Sequence, residues 1–150
     1  MIPKGAEGVG HLATRIAVDL IPKAADAYMG ADLGMIAGLL GMVAEDYDRM
    51  ADVLVSDQVD MNALFEEALG PLASAPLAPR LTEALATRPT SLRVSDLSAH
   101  ADHALRLLID LHAAVEDAEA AGAPWAEAMN RRIWTFLDAY VARRAYHSSF

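Results

Sequence analysis

The clearest pattern in the chain is a set of apolar residues at alternating spacings of four and three: Ile36, Leu40, Val43, Tyr47, Met50 and Leu54. On a 3.6-residue period these fall on one face, widened by Leu39, Met42 and Val53, and predict a helix over about 34–56 with a core-facing stripe. Leu12, Ile16 and Leu20 repeat every four residues and predict a first helix over 9–29. Pro22 kinks or restarts it, because an interior proline loses a hydrogen bond and collides with the preceding turn. Gly38 and Gly41 each cost about 1 kcal/mol relative to alanine in a helix interior, which points to close approach of a neighbouring helix. Met61, Leu64, Phe65 and Leu69 mark a short third helix, 61–69, capped by Asp60 and ended by Gly70 and Pro71.

Residues 70–90 lack this periodicity and hold four of the seven prolines, so they read as a crossover. Pro79 suits the first turn of a short helix inside it, running through Leu85. Beyond the crossover, Ser95 is placed to cap a long helix from Asp96 to about Ala120, with Leu97, Ala101, Ala104, Leu108, Leu111 and Val115 inward. Gly122 stops that helix and Pro124 opens the last, whose buried stripe is Met129, Ile133, Phe136, Leu137, Tyr140 and Val141. Residues 145–150 read as a frayed or partner-dependent tail.

The β-branched residues never alternate over a useful length, and 31 alanines favour helix throughout. The expected fold is all-α: a single domain over 1–150, an antiparallel bundle of four longer helices with one or two short ones. So many alanines leave few large side chains for a core, and homodimerisation along a face bearing methionine and aromatic residues would compensate.

Charge narrows the partners. Twelve basic and 21 acidic residues give a formal charge of −9, concentrated in residues 1–70, where four basic residues face twelve acidic ones. Such a surface repels phosphate backbones and disfavours nucleic acid. Arg131–Arg132 and Arg143–Arg144 form the one basic zone, read as a solvated helix face. The apolar run Met35–Val43 falls short of the roughly 20 residues that span a bilayer and is closed by Glu45, Asp46 and Asp48, so no membrane is expected. The start of the chain does not resemble a signal peptide, and there is no cysteine, so a cytoplasmic location is expected.

The candidate chemistry lies on the long helix. Asp96, His100 and His103 are separated by four and three and share a face; two imidazoles and a carboxylate so placed could hold a transition metal if another helix supplied further donors. Asp46, on the Leu39–Asp46–Val53 edge of the second helix, is the acidic residue expected to turn partly inward, with Glu45, Asp48, Glu66 and Glu67 as other donors. The ordinary alternative is that these histidines sit at the boundary with acidic neighbours. His112, four residues before Glu116, is a candidate carboxylate-oriented general base. Tyr47 and His112 are the candidate polar groups of a small apolar ligand pocket. No Glu-x-x-His occurs, which argues against a standard di-iron bundle, and phosphate-loop, zinc-protease and nucleophile-elbow motifs are absent.

Three readings follow: an association module acting through self-association or a protein partner, a metal-binding protein or metal-dependent enzyme using the His/Asp face, and a small-molecule binder.

Overall fold

A computed structural model describes residues 4–147. It is all-α, with no strand among the described residues. Five helices follow in order: α1 (Gly5–Arg15), α2 (Ala27–Leu69), α3 (Ala78–Ala86), α4 (Val94–Ala120) and α5 (Ala126–Arg143). Their contacts separate into two compact units: among the described residues, the first comprises 4–50 with 146 and 147, and the second comprises 51–145.

In the first unit α1 gives way to a wide π turn over Ile16–Leu20 and a tight 3-10 turn over Ile21–Lys23. Pro22 has no N–H and its ring collides with the carbonyl four residues back, so the ladder opens there instead of running on to 29. Asp26 restarts the chain as a helix by accepting the Met29 N–H on its carboxylate at 2.8 Å. Gly5 then stands against the Tyr47 ring, and a Cβ added at Gly34 would stand 3.9 Å from the Ile21 methyl, so α1 runs back along the first half of α2 as a hairpin.

The seam of that hairpin uses small residues. The buried apolar side chains of this unit, among the described residues, are Ala13 and Ala37. A Cβ added at Gly30 or Gly34 would meet Ala24 or Ile21 of the connecting turn in ordinary contact, at 3.8 and 3.9 Å; Gly38, expected to allow close approach of a helix, has nothing within 4 Å of where its Cβ would stand. The large apolar side chains of this half of α2 face outward. Ile36, Val43 and Tyr47, expected to be core, are 41%, 54% and 70% exposed, while Leu54 in the other unit is buried.

α2 is one 43-residue helix with no break at 56–60. Ser56, Asp57 and Gln58 supply neither proline nor glycine to stop a helix, and Asp60 serves as an ion-pair partner instead of a cap. The helix as a whole is long and apolar enough to cross a membrane by length and composition alone, and little of its most apolar stretch is buried.

The second unit holds the core. Met61, Leu64 and Phe65 of α2 meet Leu81 of α3, Leu107 and Leu111 of α4, and Ile133 and Phe136 of α5 in one buried cluster. Every inward position expected for α4 is buried. Gly122, at φ 78°, ends α4 with its own N–H on the Glu119 carbonyl and the Ala123 N–H on the Ala118 carbonyl. Those two bonds satisfy orphan helix carbonyls and reverse the chain, so that α5 returns along α4. In α5 Val141, expected inside, is exposed.

Candidate functional site

The fold presents four places where chemistry could occur, each within one unit.

The first is the outward side of the α1–α2 hairpin. Met35, Ile36, Leu39, Met42 and Val43 stand exposed on α2, with Leu12 and Val18 exposed on α1 and its following turn. On α2 they occupy the side opposite Gly30, Gly34 and Ala37, so one face is glycine and alanine and the other is large and apolar. Tyr47 closes the stripe; its ring lies over Gly5, where an added Cβ would stand 2.6 Å from Cζ. Asp46 accepts the Tyr146 hydroxyl at 2.9 Å, and that bond is the first cause holding the phenol above its ordinary value of 10.0. Glu45 accepts the His147 backbone N–H at 3.1 Å and lies 3.3 Å from Arg49 Nε. These contacts order Tyr146 and His147 in the segment expected to fray; residues 148–150 of that segment lie outside the described residues, as do residues 1–3 of the chain start.

The second is a cleft of about 410 Å³ between the end of α3 and the start of α4. Helical spacing does bring Asp96, His100 and His103 to it, with Glu83 and Arg88 on its other wall. Asp96 spends one carboxylate oxygen on the turn before the helix: its Oδ2 accepts Ser91 Oγ at 2.6 Å and Thr90 Oγ1 at 3.0 Å. Those two hydroxyls, Ser91 first, hold its carboxyl below the usual carboxylate value and anchor the 90–93 turn onto α4. His100 is held below 6.5, first by burial, then by His103 and Arg88. Asp46 belongs to the other unit. Among the described residues no group of three or more His, Cys, Asp or Glu side chains is arranged to hold a metal ion.

Continuous with this cleft through Arg88, Pro89 and His100 is an apolar groove of about 310 Å³, walled by Leu54, Val55 and Val59 of α2 and by Leu92 and Leu97. Gln58 donates from Nε2 to Asn62 Oδ1 at 2.8 Å, while its buried Oε1 has no hydrogen-bond partner.

The third place centres on His112 on α4. Its Nε2 lies 3.0 Å from Asn130 Oδ1 and 3.7 Å from Glu116. Asn130 donates its amide to Glu119 at 2.6 Å, and a carboxylate only accepts, so the amide is oriented with Oδ1 toward the ring. His112 must then carry its proton on Nε2 and donate it to Asn130. The nitrogen nearest Glu116 is therefore already committed to tying α4 to α5, with the edge of Trp134 packed against the ring at 5.5 Å. An apolar pocket of about 340 Å³ beside it is lined by Leu105, Ile109, Leu137 and Tyr140. Tyr47, the expected partner in such a pocket, belongs to the other unit.

The fourth was not read from the sequence. Asp57 is completely buried and is the buried charged residue of the described chain. Arg143 Nη1 donates to its Oδ1 at 2.6 Å and Arg144 Nη2 to its Oδ2 at 2.7 Å. Arg143 also pairs with Asp60, and the two carboxylates, Asp60 first, hold its guanidinium more firmly protonated than usual. Arg144 stacks over the Tyr140 ring at 3.4 Å. This corrects the reading of Arg143–Arg144 as a solvated face, because a buried carboxylate requires both; Arg131 and Arg132 do form exposed pairs, with Glu127 and Glu67. The one available signal was Asp57 between Val53 and Met61, on the buried side of a helix.

These features define an all-α protein with a compact four-helix core in one unit and an apolar-faced helical hairpin in the other. No family model, curated protein or solved structure matches the chain.

Proposed function

We propose that the protein works by association: two copies join through the outward face of the α1–α2 hairpin, each contributing two helices to a four-helix bundle. The observation that carries this reading is the inverted hairpin, small residues inside and Met35, Ile36, Leu39, Met42 and Val43 outside. With Tyr47 these side chains leave on the order of 600 Å² of apolar surface in water, at the upper end of the largest patch an ordinary monomer carries. That is comparable with the roughly 800 Å² per partner of a standard specific interface. The 4-3 spacing of Ile36, Val43, Tyr47 and Met50 through Leu40 is the geometry by which one helix offers a seam to another.

A second copy fits this face better than a bilayer. The stretch without a polar side chain, residues 33–44, is about 18 Å long as a helix, against roughly 30 Å of hydrocarbon. Asp32 bounds it on one side and Glu45, Asp46 and Asp48 on the other, and residues 1–50 carry seven acidic against four basic side chains, which opposes anionic lipid.

Light scattering and sedimentation of the full chain test this, beside Leu39→Glu/Val43→Glu, whose exposed positions leave folding intact. A wild-type dimer and a helical, monomeric variant are expected. A wild-type monomer at about 100 μM, far above the micromolar range of ordinary specific pairs, overturns the reading. A monomer that partitions onto vesicles through the same face assigns that face to lipid.

A further inference from the structure

The groove between α2 and the 88–97 segment lies apart from the face proposed for self-association, and three observations say what it would hold. Its walls are apolar yet open to solvent: Val59 and Leu92 are 62% and 76% exposed, beside the buried Leu54 and Leu97. Its volume of about 310 Å³ lies at the small end of the ligand-pocket range. Gln58 and Asn62 set the polar side chains among these walls, and they are tied to each other by the Gln58 Nε2 donation to Asn62 Oδ1 at 2.8 Å.

Charge selects the occupant. No carboxylate lines the groove; its one permanently charged side chain is Arg88, at the end where the groove opens into the histidine cleft. Arg88 makes no ion pair with a described residue. Its Nη1 is spent on the Leu85 and Thr87 carbonyls at 2.6 and 2.8 Å, where it caps the end of α3. That tether fixes the guanidinium and leaves its other N–H groups for an anion, with little side-chain freedom left to lose. His100 stands beside it in both hollows and can donate a further hydrogen bond.

We propose that this groove binds a small amphipathic carboxylic acid, its apolar body along Val55, Val59, Leu92 and Leu97 and its carboxylate on Arg88. The acidic residues of the adjoining cleft do not cancel the site: Asp96 is engaged by Ser91 and Thr90, and Glu83 lines the cleft but not the groove.

The test is methyl NMR and calorimetry on the full chain with three probes of eight carbons each: octanoate, octanol and octylammonium. Octanoate is expected to shift the methyls of Val59, Leu92 and Leu97 saturably and to bind about tenfold or more tighter than octylammonium, as one charge-assisted contact implies. Arg88→Gln should abolish that preference while leaving tail binding, and Val59→Trp, at an exposed position, should block all three probes. Equal affinity for the three, shifts confined to methyls elsewhere such as Leu39 or Val43, or no saturable change at millimolar octanoate overturns the proposal. Repeating the titration on Leu39→Glu/Val43→Glu separates it from self-association, which it does not require.

Discussion

Removing both arginines from Asp57 is the sharpest perturbation of the second unit. Asp57 is fully buried, and its two oxygens each receive one guanidinium N–H, at 2.6 and 2.7 Å. Arg143→Ala alone leaves Arg144 in place and costs about 1.5–3 kcal/mol, the net value of one charge-assisted hydrogen bond. Arg143→Ala/Arg144→Ala strands the carboxylate among apolar side chains and costs about 3–5 kcal/mol at pH 7, because its desolvation is no longer offset. Against the roughly 5–15 kcal/mol stability of an ordinary domain that is a large fraction. Urea unfolding followed by tryptophan fluorescence measures it cleanly, since Trp125 and Trp134 both belong to residues 51–145. With a slope of about 1–3 kcal/mol per M, the midpoint should fall by roughly 2 M. A deficit under about 1 kcal/mol at pH 7 would refute the assignment of Asp57 as a charge that both arginines hold.

Gly38→Ala should stabilise α2 by about 1 kcal/mol in thermal melts at low concentration, because nothing lies within 4 Å of the new Cβ; a weakened dimer in the same variant would place the partner helix at that position. Gly122→Ala should cost about 1–2 kcal/mol in urea unfolding, since a Cβ is strained at φ 78°, and a neutral result would mean that the turn after α4 rearranges freely. His100 binds its proton less readily folded than unfolded, so it adds a penalty as pH falls through its ordinary 6.5 toward its lower folded value and none above that window. His100→Gln should accordingly flatten the loss of stability between about pH 7 and pH 5 relative to wild type, and parallel profiles would contradict the burial of that ring.

How much of this was legible in the chain differs by unit. The helices of residues 51–145 follow from local chemistry: Pro79, Gly122 and the inward stripe of α4 act through steric and periodic rules that operate within a few residues. The fold class and the meeting of Asp96, His100 and His103 on one cleft were therefore readable, the latter because helical spacing alone puts them there. Other features depended on partners distant in sequence. The 34–56 stripe marks an apolar face but cannot say whether that face is the inside; in the folded hairpin Ala13 and Ala37 are the buried apolar side chains, and Ile36, Val43 and Tyr47 of the stripe are left outside. The gap between Ser56 and Met61 looked like a break because polar residues interrupted the pattern, yet Asp57 and Asp60 keep the helix continuous by answering Arg143 and Arg144 more than 80 residues away. Likewise the proton on His112 is decided by Asn130 and Glu119, and the availability of Asp96 by Ser91 and Thr90. Periodicity along a helix fixed what could share a face; which side of it meets protein, and which polar group spends its hydrogen bonds before any ligand arrives, was decided only when the helices packed.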